Sequence, residues 1–369
     1  MTLIAPNHIE GQTGRLLTQE SAEDQGADSG KYLVKAGQVI YSKIRPQLNK
    51  ATVAPSDCLC SADMYALSFR DGVDTRYAVY YILARPFHTF ASVLSARVKM
   101  PKVNREELGD APWLVPPLDE QRAIVDYLDR ETCQIDTLIA EQKRLVEMLK
   151  ERRQAMIDHA FAESSQRIQL RRFIEFLTSG SRGWGDYYAD TGDVFVRIAN
   201  LPRGSLSLGG DVQRVSLPST VYEGQRTKLK VGDLLFSITA YVGSVAVVDQ
   251  EWVDSYVSQH VALCRIDRSA LDSKFTGYFM LSTEGQDQLS QGAFGGTKVQ
   301  LALDDIQALR VPAPPLDKQR QIAEHLDRET SRIDILIAES ERLVELSQER
   351  RTALITAAVT GQIDVRQEG

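Results

Sequence analysis

The amino-acid sequence predicts an α+β protein of two mixed globular modules, each followed by one long helix, with the helices pairing as a coiled coil. Three observations predict it. A near-identical stretch occurs twice, each copy keeps a helical pattern without Gly or Pro, and the segments between the copies share weaker strand-and-turn landmarks.

A chain of 369 residues exceeds one ordinary core and suits two or three domains. With 43% hydrophobic and 25% charged residues, its composition is that of a globular protein. No stretch approaches the roughly 20 apolar residues of a membrane helix, and the start, MTLIAPNHIEGQTGR, lacks a basic run followed by an apolar one, so a cytoplasmic location and no membrane are expected. Of four cysteines only Cys58 and Cys60 lie close together. Without further ligands at zinc spacing they read as buried free thiols, and no metal is expected. The net charge of −7 disfavours a protein that coats nucleic acid unaided, because neutralising phosphates takes Lys and Arg.

Residues 117–160 match residues 315–358 without a gap at an offset of 198, with 27 of 44 positions identical. The shared text reads PPLD-x-QR, LDRET, ID-x-LIAE, RLVE and ERR. Pro116-Pro117 and Pro314-Pro315 hold the chain extended, and Asp119 and Asp317 are candidate N-caps. About 40 residues of uninterrupted helix then make a rod of roughly 60 Å. Apolar residues recur at Ile124, Leu128, Ile135, Leu138, Leu145, Leu149 and Met156, and again at Ile322, Leu326, Ile333, Leu336, Leu343 and Leu354, which reads as a coiled-coil seam. Since each copy occurs once per chain, the economical partner is the other copy. Antiparallel pairing would hold the modules apart and parallel pairing would bring them together. The identical charged positions Arg130, Glu131, Arg144, Glu147, Arg152 and Arg153, with their copies Arg328, Glu329, Arg342, Glu345, Arg350 and Arg351, form a candidate doubled docking surface for a partner.

The modules align at Gly37-Gln38-Val39-Ile40-Tyr41-Ser42 with Gly232-Asp233-Leu234-Leu235-Phe236-Ser237, a turn glycine leading into a strand. Trp113-Leu114-Val115 and Val311-Pro312-Ala313 read as the strands that deliver the chain to the helices. The resulting division is 1–116, a first module; 117–164, a first helix; 165–314, a second module; 315–360, a second helix; and 361–369, a tail.

Two modules with one scaffold and different surface text imply a bipartite ligand read at a fixed separation, for which DNA is the natural candidate. Residues 31–50 carry Lys31, Lys35, Lys43, Arg45 and Lys50 and no acid, and Arg97, Lys99, Lys102 and Arg105 follow. These can meet phosphates, while Tyr41, Ser42, Gln47 and Asn49 can bond base edges. In the second module the polar, aromatic and glycine-rich stretches 179–184, 197–203, 237–243, 258–260 and 292–298 nominate Arg182, Arg197, Arg203, Ser237, Tyr241, Ser258, Gln259, His260, Thr297 and Lys298. Phe294-Gly295-Gly296-Thr297-Lys298 lacks the spacing of a phosphate-binding nucleotide loop.

The doubled text PPLDEQRAIVDYLDRETCQIDTLIAEQKRLVEMLKERRQAMI resembles the conserved regions of type I restriction-modification specificity subunits. VTGQID near the end resembles their closing motif, and GQVIYSKIRPQLNKA is similar to a common start of one type of their target-recognition domains. That resemblance implies two target-recognition domains separated by an antiparallel coiled coil in a pseudo-two-fold circular arrangement. Each domain would read half of a split double-stranded DNA site, with the helices as a ruler. Two methyltransferase (M) subunits would dock around the helices and restriction/translocase (R) subunits would join them. It implies no catalytic centre and no cofactor in this chain; S-adenosylmethionine, ATP and magnesium would belong to the partners. The absence of an Asn- or Asp-Pro-Pro-aromatic motif and of a Walker motif agrees with this. The rival class is a non-enzymatic coiled-coil scaffold carrying two protein-interaction modules, which would bind without salt sensitivity.

One departure stands out. The first module is shorter, 116 residues against 147 for 168–314, and the shortfall maps to about 168–193. Gln362 to Arg366 follows the second helix as Arg167 to Arg171 follows the first, so the tail is expected to return to the first module as its opening strand.

Overall fold

The computed structural model describes residues 1–26, 30–95, 102–163, 166–218, 221–293 and 300–366. The chain divides into two compact units, residues 1–145 with 339–369, and residues 146–338.

The first unit opens with β1 (Thr2–Ile4), β2 (Glu20–Ser21), β3 (Lys31–Val34), β4 (Val39–Ser42), β5 (Ala51–Val53), β6 (Cys58–Ser61) and β7 (Met64–Leu67), then α1 (Thr75–Leu83), α2 (Arg85–Ser95) and α3 (Arg105–Gly109). One sheet runs β2-β1-β6-β3 and the other β5-β4-β7. Every residue of β4 is buried, which is why its sequence shows no polar alternation. Its core joins Val39, Tyr41, Tyr77 and Phe87 to Ile124 and Leu128 of helix α4 (Leu118–Phe161) and to Ile355 and Val359 of helix α8 (Leu316–Val359).

The second unit contains β8 (Arg167–Gln169), β9 (Ile174–Ser179), β10 (Tyr188–Ala189), β11 (Asp193–Val196), β12 (Gln213–Val215), β13 (Leu234–Ser237), β14 (Val245–Val247), β15 (Tyr256–Val257), β16 (Val261–Ile266), α5 (Ser273–Leu281), α6 (Thr283–Ala293), α7 (Leu303–Ala308) and β17 (Arg310–Pro312). Its sheets are β10-β12-β11-β15, β14-β13-β16-β9 and the ribbon β17-β8. The register repeats that of the first unit. Leu234 faces Cys264 as Val39 faces Leu67, and Phe195 pairs in parallel with Tyr256 as Leu3 does with Leu59. Gly37 and Gly232 both turn with positive φ, 84° and 85°, a conformation glycine adopts without a Cβ penalty. Among the described residues of the first unit, β8, β9 and β10 have no counterpart strands.

Both long helices have 44 residues. They begin one residue before Asp119 and Asp317, so these carboxylates sit inside the first turn and favour its free N–H groups there rather than from the capping position. In the first unit Asp136 of α4 meets Arg351 of α8, and in the second Arg153 of α4 meets Asp334 of α8; the helices therefore run antiparallel. The buried line on α4 is Leu128, Thr132, Ile135, Ile139, Val146 and Leu149, a regular alternation of four and three once Gln142 is included. It corrects the seam expected from sequence. Leu138, Leu145 and their copies Leu336 and Leu343 lie outside it, 36–48% exposed.

The described part of the tail, residues 361–366, packs on the first unit and forms no strand. Val365 enters the core and Ile363 packs against it, so Val365 takes the place that Leu170 holds in the second unit. Residues 113–115 likewise form no strand, and among the described residues none gives them the partner that β8 gives β17. No described helix is long and apolar enough to cross a membrane.

Candidate nucleic-acid interface

The repeated helices present each module with the same seat. Gln121, fully buried, donates from Nε2 to Gly72 O (2.8 Å) and Pro116 O (2.7 Å), and its Oε1 accepts from Asp74 N (2.8 Å). Gln319 does the same with Ala270 O, Pro314 O and Asp272 N. Asp74 and Asp272 cap α1 and α5. Six residues on, Tyr80 donates to Asp129 and Tyr278 to Asp327, each 2.7 Å, with Thr132 and Thr330 beside them. Arg76 and Lys274 pair with the same aspartates. Burial raises the pKa of both tyrosines, so the hydroxyls stay protonated donors.

Arg351 completes the first seat, with Nε on Asp136 (2.8 Å) and Nη1 donating to Gln12 O (2.8 Å). Arg153 pairs with Asp334 at 3.0 Å in the second. These two arginines were expected on a partner-docking surface; the structure sinks their side chains to 8% and 11% exposure, where Arg351 binds a loop of its module and Arg153 ties the two helices together. Arg130, Arg144, Glu147, Arg152, Arg328, Arg342, Glu345 and Arg350 are exposed, and Glu131 and Glu329 half-exposed. Much of the identity between the helices thus serves internal docking.

In the first unit the turn between β4 and β5 carries the basic candidates. Arg45 is exposed at its tip with φ 47°. Lys43 is half-buried with Nζ 5.2 Å from the Tyr65 ring centroid, and Lys50 Nζ donates to Pro6 O at 2.6 Å. Three expected base readers are withdrawn into the fold. Tyr41 is fully buried, Ser42 donates to Ile44 O (3.0 Å), and Asn49 is buried and donates to Leu83 O (3.1 Å). Ser237 repeats Ser42, donating to Thr239 O at 2.9 Å; both serines shape a turn. Arg97, Lys99, Thr297 and Lys298 lie outside the described residues.

In the second unit several candidates converge. Gln259 N donates to Ser181 O and Ser181 N to Val257 O, locking loops 179–182 and 258–260 together. Gly180 is required there, because a Cβ would stand 2.0 Å from Val257 O. The Gln259 side-chain amide lies 3.0 Å from His260 Nε2, and His260 Nδ1 lies 3.1 Å from Thr239 Oγ1. A cleft of about 780 Å³ opens between Gly180, Arg182, Tyr222, Gln225, Arg226 and Gln259. Tyr222, 76% exposed, and Arg226 were missed from sequence although Y-E-G-Q-R-T has the composition used to nominate other loops. Arg203 lies 5.3 Å over the Tyr241 ring, whereas Arg197 is half-buried and Ser258 is buried. Among the described residues no group of three or more His, Cys, Asp or Glu could hold a metal ion.

The sequence profile of the Type I restriction modification DNA specificity domain matches residues 11–148 and 209–345. The chain belongs to this family. Each match runs from inside a module through part of the helix behind it. This member of the specificity family is 35% identical over 158 residues to the Type I restriction enzyme EcoDI specificity subunit of Escherichia coli, a match spanning 43% of this chain and 35% of that protein. It is 20% identical over 363 residues to the Putative type I restriction enzyme MjaX specificity subunit of Methanocaldococcus jannaschii, covering 92% of this chain and 81% of that one. A chain from a structural study of complex assembly and conformational transition of the type I R-M system shares its fold with TM-score 0.78 at 17% identity, over 98% of this chain and 92% of that chain. The HsdS subunit of Thermoanaerobacter tengcongensis aligns at TM-score 0.52 and 18% identity, over 98% and 90%.

Proposed function

We propose that this chain is the sequence-reading, non-catalytic subunit of a type I restriction-modification complex in the cytoplasm. Each target-recognition domain reads one half of a bipartite DNA site, and the helices set the spacing and dock the methyltransferase subunits, which the restriction/translocase subunits join. The observation that carries the reading is the matched scaffold with unmatched loops: equivalent turns present Lys43 and Arg45 in one unit and Thr239 and Tyr241 in the other. Identical seats beneath different loops suit two readers of different half-sites. On this reading the exposed Arg182, Arg226, Arg203 and Arg45 meet phosphates, and Gln259, His260, Gln225 and Tyr222 meet base edges.

The test is to co-purify the chain with a methyltransferase subunit and map methylated positions in DNA. A split motif with a constant gap is expected, with affinity falling steeply with salt. A continuous motif, or binding that ignores salt, refutes the reading.

A further inference from the structure

We propose that the open edge of β7 and the groove beside it bind an extended polypeptide segment, which pairs antiparallel with β7 as the fourth strand of its sheet. The occupant carries apolar side chains at the positions of Ile174, Phe176 and Leu177 in β9, with a carboxylate among them as Glu175 stands in that strand.

The second unit shows what belongs there. β9 pairs antiparallel with β16, the counterpart of β7, and lays Ile174 and Leu177 against the core. Beneath it Ala262, Cys264, Ile266, Ile306 and Val311 are all 2% exposed or less. The equivalent positions in the first unit, Tyr65, Leu67, Phe69, Leu108 and Trp113, are only half-buried. They line a groove of about 730 Å³ that runs the full length of β7. Among the described residues β7 pairs with β4 alone, which leaves a template of backbone donors and acceptors for strand addition. The tail already covers the first part of the same path, since Val365 fills the site of Leu170, which lies four residues before β9. The one charged side chain in the lining, Arg105, stands where the second unit has Leu303; it favours a carboxylate on the incoming strand.

A synthetic peptide copying residues 168–180 of this chain tests the proposal on the full-length protein, with amide exchange followed by mass spectrometry. One peptide is expected to bind per chain and to slow exchange about tenfold or more across residues 64–69, while a peptide carrying Phe176→Asp and Leu177→Asp does nothing. Unchanged exchange at 64–69 with the peptide at millimolar concentration overturns the proposal, as does an equal effect of the substituted peptide or protection confined to the second unit. Self-association of the chain that protects 64–69 without peptide assigns the edge to a second copy and overturns the stated occupant.

Discussion

Replacing Gln121 by Ala tests whether the seat, rather than general helix packing, holds the first module. The side chain is fully buried and makes three hydrogen bonds of 2.7–2.8 Å. At about 1 kcal/mol each, their loss costs about 3 kcal/mol. Gly72 and Pro116 lie near the surface and can be rehydrated, so about 2 kcal/mol is the expected loss. Gln121→Glu keeps the acceptor for Asp74 N but sets a carboxylate against two carbonyl oxygens, and should cost more. Urea unfolding separates the units by their tryptophans, Trp113 in the first and Trp184 and Trp252 in the second. With a slope of roughly 2 kcal/mol per molar, Gln121→Ala moves the Trp113 midpoint down by about 1 M. Gln319→Ala should do the same to the Trp184 and Trp252 signal. A loss under about 0.5 kcal/mol, or one that appears in the wrong unit, would refute the reasoning.

Further outcomes can be measured alongside. Arg351→Ala leaves Asp136 and the carbonyls of Gln12 and Thr13 without their cation; a loss of about 2 kcal/mol and faster proteolysis around residues 10–15 are expected, with Arg351→Lys rescuing only part. Native thiol titration should find one fast cysteine, Cys133, because Cys58, Cys60 and Cys264 are buried; two or more fast thiols would contradict the fold. Burial pushes the Cys60 thiol up to about 11 and the Cys264 thiol to about 12, so the stability from keeping them neutral is complete below the ordinary thiol value near 9 and is lost as pH rises through 11 and then 12. Alkaline denaturation of Cys60→Ala should lack the first of these losses. Gly180→Ala drives a methyl into Val257 O and should destabilise the second unit by about 2 kcal/mol, while leaving the Trp113 transition in place.

The helices were legible because their signals are long-range and redundant: a 44-residue pattern without Gly or Pro, written twice. Their partnership was less so. Leu138 and Leu145 look as good a seam as Ile139 and Val146 on paper, and only the facing surface decides. The candidate site was read least well where strands are buried on both faces. Tyr41 and Ser42 are polar residues whose chemistry suits a base edge, yet all of β4 is inside. Asn49, expected as a base contact, takes a left-handed conformation at φ 46° and ties its turn to Leu83 O of α1. One short pattern carries the half of the seat that each module supplies: Asp74-x-Arg76-x-x-x-Tyr80 recurs as Asp272-x-Lys274-x-x-x-Tyr278.

That pattern gives the seat the character of an interchangeable socket. The polar contribution of each module is small: an aspartate-capped helix, a base two residues on, a tyrosine four further, and a backbone carbonyl for one glutamine. Apolar side chains that share a core with the helices complete the joint, and the exposed loops are not part of it. A chain carrying two such sockets offers the same glutamine, aspartate and threonine to a module in either place.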